Sequence, residues 1–271
     1  MPNTTFNGAQ TALQDAADVK PSFGFTRIAT KRREYLKPHA SGRILEIGPF
    51  DNPTFRREFG DSVEYLDYFS REELRAMHEG NPRRKLEAMV DVDHVVKSRD
   101  FTSSIDGRFD LIVANHVIEH VPDTIHWLNQ LAGLLNPGGK LFLAVPDRRY
   151  TFDYFRQESR ASEMLRANQE GLEKPSVWHL TDAYYYHCRI DLNELWEGNL
   201  PVFRPRFSFA KAHAMARERS VEYTDAHCWV FTPDSFKKCI AELKSAEVVK
   251  LDISDVRPPA RMTNEFWALL A

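Results

Sequence analysis

Apolar positions along this chain change their period several times, and each change marks an element. Arg43-Ile44-Leu45-Glu46-Ile47-Gly48 is a short apolar run that closes on a glycine, the pattern of a buried parallel strand entering a tight turn. Val63-Glu64-Tyr65-Leu66-Asp67 reads as a second strand. Ser70-Arg71-Glu72-Glu73 then suits an N-cap with acidic first-turn residues, opening a helix to about Gly80. Val90 to Val96 reads as a third strand and Phe109 to Ala114 as a fourth. From Asp123 to Leu135 the period becomes helical, through Ile125, Leu128, Leu131, Leu134 and Leu135, and it stops at Asn136-Pro137-Gly138-Gly139. Lys140 to Val145 is a fifth strand, ended by Pro146. Strands alternating with helices at this spacing imply right-handed crossovers and a mostly parallel α/β sheet with helices on both faces.

The flanks read differently. Residues 1 to about 24 are polar without a sustained period, as expected of a loose arm or lid, and Thr26 to about Tyr35 forms a basic helix that ends near Pro38. From Asp147 to about Thr224 the periodicity is lost while aromatic residues and arginines accumulate, which indicates an inserted lobe. Order returns at Thr232-Pro233-Asp234-Ser235, a helix start running to about Ser245. Glu247 to Ile253 and Asn264 to Leu270 read as two closing strands joined by the turn-rich Ser254 to Thr263. The resulting organisation is an N-terminal arm and helix (1–39), a core (40–147), an inserted substrate or cap lobe (148–224) and a C-terminal completion of the sheet (225–271).

Composition narrows the classes of partner. With 271 residues, 42% hydrophobic and 28% charged, the chain can bury one large core with an appended lobe. A formal charge of −3 provides no large cationic surface, so neither nucleic acid nor a membrane surface is an expected partner. No apolar run approaches the roughly 18–20 residues that span a bilayer, and the N-terminus lacks the basic-then-apolar order of a signal peptide. A cytoplasmic location is the expectation. Cys188, Cys228 and Cys239 lack the paired spacing of a zinc knuckle and read as reduced, packed thiols.

In open α/β sheets ligands bind beyond the carboxyl ends of the strands. Here those ends are Glu46 to Asp51, Asp67, Ala114 to His116 and Val145 to Asp147. Gly48 lets the backbone turn tightly against a ligand, and Asp67, about twenty residues on, can accept hydrogen bonds from two vicinal ribose hydroxyls. The loop Pro49-Phe50-Asp51-Asn52-Pro53 is not G-x-G-x-x-G, which argues against a dinucleotide, whose pyrophosphate must approach a glycine turn closely. A cofactor without phosphate tolerates a bulkier loop.

Ile44-Leu45-Glu46-Ile47-Gly48-Pro49, then Asp67, then Phe109 through Asp123, then Leu135-Asn136-Pro137-Gly138-Gly139-Lys140-Leu141 resemble, in order and spacing, the motifs of class I S-adenosylmethionine-dependent methyltransferases. The branch with ubiquinone-type O-methyltransferases is the most similar, over roughly residues 40 to 147, and Pro146-Asp147-Arg148-Arg149-Tyr150-Thr151-Phe152-Asp153 resembles a bacterial subgroup with the same sort of insertion. The resemblance implies a Rossmann-like, doubly wound, seven-stranded sheet with a cap lobe, S-adenosyl-L-methionine as cofactor, and a small-molecule acceptor methylated on oxygen or nitrogen, such as a sugar or secondary metabolite. It places Glu46 and Gly48 by the methionine moiety, Asp67 on the ribose, and Asn115 and His116 along the donor pocket. Asp100 and Asp93 compete for the adenine contact, with Asp100 preferred. A catalytically silent donor-binding protein is the alternative.

For a hydroxyl acceptor a base is needed, and His116 is the first candidate, with Asp147 and then His179 behind it. Arg148, Arg149 and Tyr150 follow the fifth strand directly, where the arginines either bind an acceptor anion or make ion pairs with Asp147 and Asp153. Trp178 and His179 belong to the aromatic-rich insertion, which is either a small core of its own or a substrate wall. His116-Val117-Ile118-Glu119-His120 also matches the H-x-x-E-H zinc-hydrolase pattern, but Pro122 and the strand before His116 argue for a turn instead of a helix. Some ubiquinone-type enzymes are thought to hold a divalent metal in this segment with a carboxylate where His116 stands. A hard ion prefers oxygen ligands there, and no metal is expected.

Overall fold

The computed structural model describes residues 25–82 and 84–271, so the polar arm expected over residues 1 to about 24 lies outside the described residues. Among the described residues seven strands form one sheet: β1 (Ile44–Ile47), β2 (Val63–Asp67), β3 (His94–Val95), β4 (Phe109–Asn115), β5 (Leu135–Pro146), β6 (Ile253–Arg257) and β7 (Glu265–Leu270). Their order is β3-β2-β1-β4-β5-β7-β6. The first five are parallel, and β7 runs antiparallel to both β5 and β6, so the expected doubly wound, mostly parallel sheet is what the chain forms. The helices are α1 (Phe25–Leu36), α2 (Arg71–His78), α3 (Thr124–Leu134), α4 (Ala161–Glu170), α5 (Val177–Tyr185), α6 (Leu192–Trp196), α7 (Phe209–Arg219) and α8 (Pro233–Ser245).

The continuous apolar runs of the central strands follow from burial on both faces. Leu45 and Ile47 of β1, Ile112 and Ala114 of β4, and Leu141, Leu143 and Val145 of β5 pack with Leu128 and Leu131 of α3 and Phe236 and Ile240 of α8. Their alternates, Ile44, Leu111, Val113, Phe142 and Ala144, pack with Leu36 of α1 on the other face. Period-two alternation therefore sorts one uninterrupted hydrophobic run into two cores.

Four expectations shift. The third strand shrinks from Val90–Val96 to His94–Val95, because the Asp93 carboxylate accepts the Tyr65 N–H (2.7 Å) where a ladder bond would otherwise form. The fifth strand starts at Leu135 and not Lys140: Phe109 pairs with Leu135, and pairing resumes at Leu111 with Lys140, so Asn136–Gly139 is an irregularity within the strand. The closing strand read at Glu247 to Ile253 lies at Ile253–Arg257, within the segment expected to turn. β7 finishes at Leu270 opposite Ile253, so the alternating Val249 and Leu251 upstream are buried without a strand beside them. The aperiodic insertion contains α4 to α7. Leu180 and Tyr184 of α5 close on Ala212 and Ala216 of α7 as a small core, while Met164 and Ala167 of α4 join the main core.

Candidate active site at the carboxyl edge of the sheet

The chain leaves β1 at Gly48 with φ +63°, a conformation L side chains rarely adopt, and a Cβ there would stand 3.1 Å from Val117 Cγ2. That turn brings the Pro49–Phe55 loop back over the strand tip. Glu46, fully buried, accepts the N–H groups of Thr54 (2.6 Å) and Phe55 (3.0 Å), and burial, only partly offset by these bonds, pushes its carboxyl up to about 7. Asn115, the last residue of β4, donates from Nδ2 to Glu46 Oε1 (3.1 Å) and Thr54 Oγ1 (3.0 Å). Among the described residues its buried Oδ1 has no hydrogen-bond partner. Asp67 ends β2 two strands from Asn115, accepts the Phe69 N–H at 3.0 Å, and is pushed up to about 6 by burial.

Glu46, Gly48, Asp67 and Asn115 therefore line one edge, at the ends of three adjacent strands. Asp100 lies beyond β3, exposed, with Oδ1 2.7 Å from His126 Nε2 of α3. Asp93, its competitor, is committed to the Tyr65 N–H and to Arg57. The carboxylates and the unpartnered amide oxygen suit a ligand with a cationic amine and a diol. The absence of a glycine-rich phosphate cradle after β1 suits a ligand without phosphate.

His116 turns the chain out of β4 with φ +54°, unusual for a residue with a Cβ and worth about 1–3 kcal/mol of strain. Its N–H is bonded to Ala144 O (2.9 Å), and its ring is clamped, with Nε2 2.8 Å from Glu265 Oε2 and Nδ1 3.5 Å from Glu119 Oε1. Burial alone would lower the imidazole, but the two carboxylates outweigh it and push it up to about 9. This surrounding favours the protonated ring over the neutral one that a base requires.

Glu265 itself was missed in the sequence. Because β7 is antiparallel, its first residue stands at the edge where the parallel strands end, and there Glu265 receives Arg32 of α1 through both carboxylate oxygens and Trp267 Nε1 at 2.7 Å. No local signal marks it, since its charged partners Arg32 and His116 lie 233 and 149 residues away in sequence.

Asp147 is fully buried, caps the short turn Arg148–Tyr150 through the Arg149 N–H, and receives the Arg149 side chain at both oxygens. Both of its oxygens are engaged by Arg149. Arg148 donates to the carbonyls of Tyr154 (2.5 Å) and Arg156 (2.9 Å) and stands 3.7 Å from Glu158, so it does not pair with Asp153, and it lines an open pocket with Glu158 and Lys238. Tyr150 stacks on Trp196 at 4.3 Å, and Arg166 covers the Trp178 ring at 4.3 Å. His179 is buried against Trp229, and burial lowers its imidazole to about 3, which keeps it neutral and packed. Among the described residues, Arg148 Nε and His179 Nε2 are buried without a hydrogen-bond partner.

The H-x-x-E-H segment is not one helix: His116 precedes a short 3-10 turn at Ile118–His120, so the two histidines do not share a helical face. Glu119 is buried in that turn. His120 Nδ1 meets Asp225 Oδ1 at 2.8 Å, and His227 Nδ1 meets Asp153 Oδ2 at 2.5 Å. No described helix is long and apolar enough to cross a membrane.

A family model for the methyltransferase domain matches residues 22–243 of the chain. A ubiquinone biosynthesis O-methyltransferase of Xanthomonas oryzae pv. oryzae (strain PXO99A) is 42% identical over 64 residues, which is 23% of this chain and 27% of that protein. The chain thus spans about a quarter of the length of the curated relatives it matches. Among solved structures, the CcbJ methyltransferase of Streptomyces caelestis aligns with a TM-score of 0.46 at 12% identity, over 100% of this chain and 98% of that one. Magnesium protoporphyrin IX methyltransferase of Synechocystis PCC 6803, with bound S-adenosylhomocysteine, aligns with a TM-score of 0.43 at 10% identity, over 95% and 90%.

Proposed function

Because the chain belongs to the methyltransferase-domain family, whose class I members use S-adenosylmethionine, we propose that it transfers a methyl group from this donor to an oxygen or nitrogen of a small-molecule acceptor. The observation that carries the reading is the unpartnered Asn115 Oδ1 beside the Glu46 carboxylate, with Asp67 two strands away on the same edge. Glu46 and Asn115 would take the amine of the methionine part, Asp67 the ribose hydroxyls, and Asp100 the adenine edge. Gly48 keeps the β1 turn clear of side chains.

The bound donor supplies a methyl group already activated by its sulfonium. The chain's own residues then have to align the acceptor and exclude water, and alignment alone is a large part of the barrier reduction. His116, held protonated between Glu119 and Glu265, fixes the β4 exit and contributes a positive charge at the edge; it does not accept the acceptor's proton. The lobe of residues 148–224 would cover the acceptor side, with Arg149, Tyr150 and Trp178 as structural parts of that cover.

Calorimetry with S-adenosylhomocysteine tests the reading. Saturable one-to-one binding is expected, weakened at least about tenfold by Asp67→Ala through loss of charge-assisted hydrogen bonds. Absence of heat with either donor or product on folded protein would overturn it.

A further inference from the structure

Two tyrosines from distant parts of the chain meet at the carboxyl edge of the sheet. Tyr68 directly follows Asp67 at the end of β2, and Tyr223 lies just beyond α7, at the end of the inserted lobe. Their rings are nearly parallel, 12° apart, with centroids separated by 6.2 Å. Tyr68 is 49% and Tyr223 43% exposed, so each keeps part of its ring open to solvent or to a ligand.

From Tyr223 the contacts continue to a second strand end. Tyr223 Oη donates to Asp225 Oδ1 at 3.4 Å, and the same oxygen stands 2.8 Å from His120 Nδ1, on the turn after β4. Thr224 Oγ1 donates to the Arg219 carbonyl at 2.9 Å, and the Cys228 N–H donates to the Glu119 carbonyl at 2.6 Å, so this segment is tied to α7 on one side and to the β4 exit on the other. At the other end Tyr68 packs edge to face on Phe69 with centroids 4.8 Å apart. The strand order β2-β1-β4 puts the two anchors on either side of β1. Neighbouring strands lie about 4.8 Å apart, so the contacts bridge about 10 Å and span the position of β1, on whose end Glu46 and Gly48 stand. Every joint in this bridge is a hydrogen bond, an ion pair or the backbone itself, except the contact between the two tyrosine rings.

We infer that Tyr68 and Tyr223 form a strap over the donor: they retain S-adenosylmethionine and its demethylated product, and they part at the ring contact to let either pass. The inference rests on the donor reading given above. A donor held by Glu46, Asn115 and Asp67 lies within the span of the bridge, and the tyrosine rings supply apolar cover that the carboxylates at the strand ends do not. The opening point follows from the chemistry of the joints. Parting two stacked rings leaves no polar group unpaired, whereas parting His120 from Asp225 separates a charged hydrogen-bonded pair.

The test is the release rate of labelled S-adenosylhomocysteine from the full chain, chased with excess unlabelled compound. Tyr223→Ala and Tyr68→Ala should each speed release about 3–10-fold, the loss expected from one aromatic pair. Tyr223→Phe, which keeps the ring, should restore slow release. A thermal midpoint like the parent's certifies that each variant is folded. A second arm joins Tyr68→Cys and Tyr223→Cys in one chain and bridges the two thiols with a short, reducible bis-methanethiosulfonate, the native cysteines being buried. The bridged form should neither take up nor release the ligand until it is reduced. Release changed less than about twofold in folded Tyr223→Ala, failure of the two thiols to be bridged, or free exchange in the bridged form would each overturn the strap. Calorimetry with S-adenosylhomocysteine separates the two ideas. No heat on folded protein sinks the donor reading and the strap with it, whereas heat with unchanged release sinks the strap alone.

Discussion

Glu46 sits where a carboxylate is expensive to ionise, wholly buried behind the β1 turn, and this gives the protein a pH signature. Its carboxyl stands at about 7 in the fold against 4.5 for an unperturbed group, so the folded state holds a proton that the unfolded state releases. The associated stability is fully present below about 4.5 and is lost as pH rises through about 7, an effect of about 3 kcal/mol. Glu46→Gln should therefore flatten the decline in unfolding free energy between these two pH values, measured by urea titration at several pH values. A variant curve parallel to the parent's would refute the assignment. At this scale the sequence was partly legible. Gly48, Asp67 and Asn115 stand at the strand ends where a glycine turn and short polar residues after apolar runs put them. Glu265 was not legible, because what makes it important is a contact across the fold and not a spacing.

Elements were most legible where burial and local hydrogen bonding agree. β1 and β4 are buried on both sides and read as apolar runs, and the helix after β2 carries its start signal in Ser70 and Glu73, which form a reciprocal capping box. Ser70→Ala removes the acceptor of the Glu73 N–H at 3.2 Å and should cost about 1 kcal/mol, seen as a lower urea midpoint with an unchanged slope. An unchanged midpoint would mean that this helix adds nothing to global stability. The edges of the sheet were misread for a shared reason: alternation reports which side of a segment is buried, and not whether a neighbouring strand is present. Val249 and Leu251 alternate and are buried without a ladder, whereas Asp255 to Arg257, polar enough to read as turn, pairs with β7.

Across the whole molecule, the buried contact of Arg32 with Glu265 joins α1 to β7 and supports the His116 ring from behind. Arg32→Ala leaves the Glu265 carboxylate with less compensation and should destabilise the protein by about 3–5 kcal/mol in chemical denaturation. A loss below about 1 kcal/mol would show the pair to be dispensable. The doubly wound architecture followed from the alternation of strand and helix patterns, whereas the division of labour inside the insertion did not, because short aromatic-rich helices lack a sustained period. The position of β7 has one more consequence. It follows β6 in sequence, yet it is threaded between β5 and β6, so a nascent polypeptide still short of residue 265 leaves β6 without a neighbour and His116 without one of its two anions. The binding edge therefore matures only after residues 265–270 have been made, and a ribosome stalled upstream of them would display a half-built pocket to chaperones and proteases.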